Sequence, residues 1–159
     1  MRHSSIPNSL FVKNRKKLIN SLKKNSVAIV NSNEEMHRSG DQFFKYRPNA
    51  DLFYLTGIEQ EKSILFLFPD NINEKNREIL FILEPNENLE IWQGHKLSKS
   101  EAQEISGIEN IIWTSNFDAI FRQNIFNAEN IYLNMNENAS KSLETYDFHL
   151  KFIKKIKKH

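Results

Sequence analysis

Apolar residues fall along this chain in two rhythms, and the switching between them outlines an α/β domain. From about 8 to 24, Phe11, Leu18 and Leu22 recur on one face while Arg15, Lys16, Lys17 and Lys23 occupy the rest. That is the stripe of an amphipathic helix. VAIV at 27–30 is a short β-rich run between polar residues, hence a strand. The polar stretch NSNEEMHRSGDQ follows and reads as a loop, long for a compact domain and of the kind that carries function or orders on a partner. Three apolar runs come next, at 52–55, 64–68 and 79–83, each read as a strand. ILFLF and ILFIL do not alternate, so both are expected to be covered on two faces, as in the middle of an α/β sheet.

The second half keeps the same grammar. Ser98 with Glu101 forms a capping box and Gly107 stands where a helix stop belongs, so SKSEAQEISG is a short helix. NIIW reads as a strand, FDAIFRQNIF as a helix and IYLNM as a last strand. From Ser140 onward Leu143, Tyr146, Leu150 and Ile153 repeat at helical spacing, giving an amphipathic closing helix. No internal repeat or Gly/Ser/Pro-rich linker divides the chain, so residues 1–159 read as one domain with a real core. The sequence stops inside a lysine-rich helix with no capping glycine, which suggests a truncated boundary.

Composition narrows the functional classes. The apolar fraction is only 39%, but it is concentrated in runs weighted by twelve phenylalanines. A net charge of +2 gives an electrostatic case for nucleic acid little to start from. The basic end, KFIKKIKKH, reads as a solvated helix face whose cations complement the helix dipole. The absence of cysteine removes disulfides, thiolate chemistry and cysteine-ligated zinc. The first ten residues lack a hydrophobic signal core and no apolar stretch is long enough to span a bilayer, so a cytoplasmic protein without a membrane partner is expected. His3, His37, His95, His149 and His159 stand at no metal-ligand spacing, and four glycines leave no phosphate-cradling loop. No catalytic residue and no metal site are expected within this chain.

Two constellations remain. In YRPNADLFYLTG, Arg38, Asp41, Arg47 and Asp51 place two cations and two anions in or beside one loop and the strand it feeds. Arg47 and Asp51 read as a local pair in a rigid turn, with Asn49 bonding the backbone and Pro48 stiffening it. Asp41 follows Gly40 in the polar loop, where a carboxylate has no structural duty; most such aspartates are merely solvated, yet it is the strongest site candidate. The second constellation is NLEIWQGHKLS. Trp92 beside a strand-end glycine is more often a partly buried core aromatic; the alternative is a ring presented to a ligand, where it contributes much contact energy. His95, in a basic pair with Lys96, reads as an exposed polar residue rather than an acid–base group, and Trp113 as core.

The ordered run RSGDQFFKYRPNADLFYLTGIEQEKSILFLFP, followed by EIWQGHKLS, resembles the N-terminal domain of aminopeptidase P (Xaa-Pro aminopeptidase). Arg38, Ser39 and Asp41 match its first motif; Tyr46, Arg47, Asn49, Asp51, Tyr54, Leu55, Thr56 and Gly57 match the second; Glu90, Ile91, Trp92 and Gly94 match the third. Pro48 stands for the usual Gln, Leu52 for the usual Phe, and His95-Lys96 depart from the basic pattern after the glycine. The resemblance implies a mixed β-sheet flanked by helices, with a ribonuclease H-like motif, as in creatinase and prolidase relatives. It further implies a two-domain hydrolase, a cytoplasmic metallopeptidase. Its catalytic pita-bread domain is expected downstream, holding two metal ions, usually manganese, on ligands outside this chain. The implied partners are that C-terminal domain, a homo-oligomeric mate (dimer or tetramer) and a peptide with proline second. Asp41 and Trp92 are then the substrate-groove residues. Two alternatives stay open: the N-terminal domain of a prolidase or creatinase relative, and a free-standing interaction module without peptidase activity.

Overall fold

The structure is a computed structural model that describes residues 6–33, 37–40, 42–85 and 96–134. Helix α1 (Asn8–Ser21) leads into β1 (Ser26–Asn31), which is buried along its whole length. The stretch expected to be a long loop instead contains a small antiparallel hairpin, β2 (His37–Ser39) with β3 (Gln42–Phe43). It turns at Gly40, whose φ of +53° suits glycine.

The run at 52–55 is not a strand. It lies in helix α2 (Ala50–Thr56). Asn49 Oδ1 accepts from the backbone N–H of Asp51 at 3.0 Å and of Leu52 at 3.1 Å, so the asparagine expected to fix a turn is a helix N-cap. Leu52, Leu55 and Thr56 then point inward at spacings of three and four, the helical rhythm. Gly57 ends the helix in the left-handed conformation, with φ +72°. Aromatic composition favoured a strand over this short run, and two capping residues overrode it.

The remaining elements follow the expected order: β4 (Ile64–Leu67), a 3-10 turn at Glu74–Asn76, β5 (Glu78–Ile82), α3 (Lys99–Ser106), β6 (Asn110–Trp113), α4 (Phe117–Ile125) and β7 (Asn130–Leu133). The Ser98–Glu101 capping box is present in both directions and Gly107 is the left-handed stop of α3. The closing helix expected from Ser140 lies outside the described residues.

Among the described residues, one mixed sheet of five strands, in the order β6-β5-β4-β1-β7, organises the domain. β4 runs antiparallel to β1 and β5; the outer pairs β1–β7 and β5–β6 are parallel. β4 and β5 are buried on both faces, as their unalternating sequences require. One face packs Val30, Leu65, Leu67, Leu80 and Ile82 against α1, α2 and α3. The other packs Ile29, Phe66 and Phe81 against Phe117 and Phe121 of α4. Each such side chain contributes about 1.5–3 kcal/mol when fully buried. Trp113, expected in the core, is half-buried at the rim of the three-helix face, with Lys99 Nζ 4.7 Å from its ring centre.

Arg15 departs furthest from its reading as part of α1's solvated face. It is 1% exposed. Its Nη1 donates to the carbonyls of Leu55 and Ser106, both at 2.9 Å, and its Nε pairs with Glu78 Oε2 at 3.0 Å. One guanidinium thus serves the last turns of α2 and α3, where carbonyls lack helical partners and the dipole favours a cation. Burial lowers its pKa from the ordinary guanidinium value, while Glu78 beside it pulls in the other direction. Close packing of α1 completes the arrangement. A Cβ at Gly57 would come 2.6 Å from Phe11 Cζ, and one at Gly107 would come 2.9 Å from Val12 Cγ2.

Candidate functional site

The polar lead-in to α2 sits where the ends of β1 and β7 meet the start of that helix, and four asparagines join them. Asn33 Nδ2 donates to the Arg47 carbonyl at 3.1 Å, and Asn49 Nδ2 reaches Asn33 Oδ1 at 3.4 Å. Asn134 accepts from Asn31 N at 2.9 Å and donates to Asn31 O at 3.1 Å. Its side-chain amide therefore stands in for a further residue of the parallel ladder. Asn134 Nδ2 also lies 3.4 Å from Asn49 Oδ1. The strong members fix backbone on both sides of the lead-in; the two 3.4 Å contacts are long and add less. Asn33 and Asn134 had no signal in the sequence, since asparagine is abundant throughout.

The motif residues then divide by duty. Thr56 Oγ1 donates to the Leu52 carbonyl at 2.7 Å and accepts from Ile58 N at 3.1 Å, so with Asn49 and Gly57 it shapes α2. Arg38, Arg47, Asp51 and Tyr54 are exposed and Tyr46 is half-buried. Arg47 and Asp51 form no ion pair, contrary to expectation. What is held at Arg47 is its carbonyl, and Asp51 lies in the first turn of α2, where a carboxylate suits the helix dipole. Arg38 lies over the ring of Phe44, 5.7 Å from its centre, on the hairpin side. Asp41, Trp92 and Gly94 lie outside the described residues.

A second frame supports the chain on either side of the stretch that carries Trp92. Gln60 Nε2 donates to the Leu83 carbonyl at 3.4 Å and its Oε1 accepts from Leu97 N at 2.8 Å. Beside it, Lys96 pairs with Glu61, and both side chains are largely buried. Lys96 was read only as half of a basic pair with His95; its acidic partner lies in a different turn, 35 residues away, which no local pattern reveals.

Among the described residues, no group of three or more His, Cys, Asp or Glu side chains is placed to hold a metal ion, so these residues do not fit a metal pair. No described helix is long and apolar enough to cross a membrane. Asn49 and Gly57 cap α2 at its two ends, and Arg47, Asp51 and Tyr54 stand exposed on that helix or just before it.

Comparison with known proteins gives these residues a context. The family model for the aminopeptidase P N-terminal domain matches residues 11–132. The chain is 28% identical over 109 residues to Xaa-Pro aminopeptidase of Escherichia coli (strain K12), covering 69% of this chain and 24% of that protein. It is 24% identical over 114 residues to Intermediate cleaving peptidase 55 of Schizosaccharomyces pombe, covering 72% and 22% respectively. A solved structure from Bacillus anthracis, assigned as an aminopeptidase P, superposes with a TM-score of 0.84 at 29% identity, covering 97% of this chain and 36% of that one. Aminopeptidase P from E. coli with the inhibitor Pro-Leu gives a TM-score of 0.75 at 26% identity, covering 86% and 31%. The chain spans about a quarter of the length of the curated relatives it matches.

Proposed function

The chain belongs to the aminopeptidase P N-terminal domain family, and on that premise we propose that it is the non-catalytic N-terminal part of a metal-dependent Xaa-Pro aminopeptidase. The observation that carries this reading is the family match over 11–132 in a chain that spans about a quarter of its curated relatives. In this reading hydrolysis before proline belongs to a further C-terminal domain, which supplies a pair of manganese ions that polarise the scissile carbonyl. This chain contributes a wall of the substrate groove and a surface for homo-oligomerisation in a cytoplasmic enzyme. Asp41 and Trp92 face the groove, Trp92 as an aromatic contact for a peptide with proline in second place and Asp41 for its polar end. Asn49 and Gly57 hold the frame behind them.

The test is a chimera. This chain replaces the matching N-terminal region of the E. coli Xaa-Pro aminopeptidase, and Xaa-Pro peptide turnover is measured with Mn²⁺. The chimera is expected to be active, with kcat/KM lowered by Trp92→Ala or Asp41→Asn at unchanged melting temperature. An active chimera indifferent to both substitutions overturns the groove assignment. Metal-dependent cleavage by the 159-residue chain alone overturns the non-catalytic one.

A further inference from the structure

The turn that leads into β4 carries more local strain than a turn needs. Among the described residues, two that are not glycine hold a positive φ, Asn25 at +53° and Lys62 at +54°. Asparagine tolerates the left-handed region, and the Asn25 side chain is bonded there to Glu129 Oε1 at 2.9 Å. A lysine gains nothing from that conformation, and glycine or asparagine would adopt it at less cost. Immediately after it, Ser63 Oγ is buried with no hydrogen-bond partner among the described residues. The same holds for Oδ1 of Asn31, which is in register with Ile64 at the start of β4. A buried polar atom without a partner is a cost that native proteins seldom leave standing. Strain and unpartnered polar atoms gather where function, rather than stability, selects the residue.

The surroundings fix everything about Lys62 except its side chain. Thr114 Oγ1 donates to the Lys62 carbonyl at 3.1 Å. On one side, Gln60 is bonded to Leu97 and Glu61 is paired with Lys96. On the other, Ser63 N donates to Ser32 Oγ and the Ser63 carbonyl accepts from Ser32 N, both at 2.9 Å. The Lys62 side chain itself is exposed and makes no ion pair or hydrogen bond among the described residues. Its place is central. β4 is the middle strand of the five, and it runs antiparallel to β1 and β5, so its head lies at the edge where β1, β5, β6 and β7 end. In open α/β sheets ligands bind beyond the carboxyl ends of the strands. The asparagine junction and the Gln60 frame both stand on that edge, and Lys62 lies between them. We propose that Lys62 is a specificity residue of the substrate groove, where its ammonium holds a carboxylate of the peptide, either the C-terminus or an acidic side chain. This rests on the reading of the chain as the N-terminal part of an Xaa-Pro aminopeptidase. The pinned backbone gives a flexible charged arm a fixed root, and the strain is the stability given up to keep a cation there.

Stability and specificity should move in opposite directions. Lys62→Gly in the 159-residue chain relieves the left-handed strain, so the melting temperature should rise by roughly 2–4 °C. Turnover is measured in the chimera with the E. coli Xaa-Pro aminopeptidase on three peptides: Ala-Pro-Ala, its C-terminal amide, and Ala-Pro-Glu amide. In Lys62→Gly the kcat/KM of a carboxylate-bearing peptide relative to Ala-Pro-Ala amide should fall roughly fivefold. The fall should lie in KM and shrink at high salt, as for an exposed charge pair. Lys62→Arg should keep the ratio. A fall for Ala-Pro-Ala alone assigns the C-terminus, and a fall for Ala-Pro-Glu amide alone assigns an acidic side chain. Unchanged ratios for both in an active chimera overturn the proposal. So does a Lys62→Gly chain that melts no higher, because the lysine would then cost the fold nothing. A chimera that cleaves none of the three peptides fails the underlying reading, and the assignment of Lys62 falls with it.

Discussion

Replacing Arg15 with methionine separates what the buried charge does for the ion pair from what it does for two helix ends. Methionine keeps most of the length and apolar stem but removes every donor. The carbonyls of Leu55 and Ser106 then lose a 2.9 Å bond each inside the protein. An unsatisfied buried acceptor costs about 1–3 kcal/mol, so the pair costs roughly 2–6 kcal/mol, near the range seen when a buried charge partner is deleted. Glu78 adds less. Its side chain is 32% exposed, so water screens it and rehydrates it once the arginine is gone. The expected loss for Arg15→Met is therefore about 3–5 kcal/mol. With a urea m-value of about 2 kcal/mol/M, the midpoint falls by about 2 M. Glu78→Gln should cost about 1 kcal/mol or less. Arg15→Lys should fall between, since one ammonium lacks the fork that meets both carbonyls and the carboxylate. Urea titrations at one pH, followed by circular dichroism, measure all three. If Arg15→Met costs under about 0.5 kcal/mol, or Glu78→Gln costs as much as Arg15→Met, the helix-end account is wrong.

Three further expectations follow from other residues. Gly57→Ala forces a side chain into a left-handed position and against Phe11, so thermal unfolding should show a loss of about 2–5 kcal/mol; Gly40→Ala, at φ +53° with no atom within 4 Å of the new Cβ, should lose only about 1 kcal/mol. Asn49→Ala removes the α2 cap and should cost about 0.5–2 kcal/mol in urea, whereas Asn49→Asp keeps the acceptor and most of the stability; equal losses would mean the contact to Asn33 matters more than the cap. In the chimera, Trp92→Ala should lower kcat/KM by about 1–3 kcal/mol of transition-state stabilisation with an unchanged unfolding curve. A stability loss with normal specific activity would make Trp92 a core residue instead.

The parts of the fold legible in the sequence are those whose cause is local. β4 and β5 announce themselves because burial on two faces demands an unbroken apolar run, and α3 because its capping box and stop glycine lie within ten residues. α2 was misread although its signals are equally local. Over seven residues an aromatic-rich run fits both periods, and only the capping duty of Asn49, with a left-handed Gly57, decides for helix. Arg15 was illegible for a different reason. Its partners stand 40, 63 and 91 residues away, and nothing in a lysine-rich helix face marks the one cation that turns inward. The amide junction is hidden in the same way, with Asn31 and Asn134 separated by 103 residues. Of the candidate site, the order of the motifs was legible and the frame behind them was not. Asp41, Trp92 and Gly94 fall outside the described residues.

The position of β1 between β4 and β7 has a consequence for how the protein is made. β1 leaves the ribosome well before β7, yet β7, the last described strand of the sheet, is what completes its second edge, a parallel partner joined across almost the whole domain. Closing so long a loop precedes any reward from the pairing, which makes that step slow. Throughout synthesis of the intervening residues β1 therefore keeps one row of backbone N–H and C=O groups unpaired, in a strand whose side chains are apolar. Such an edge is what chaperones guard and what aggregating chains share. A pause in translation before Asn130 should prolong that window, and changes that weaken β7 should reduce soluble yield from living cells more than they reduce the equilibrium stability of the purified protein.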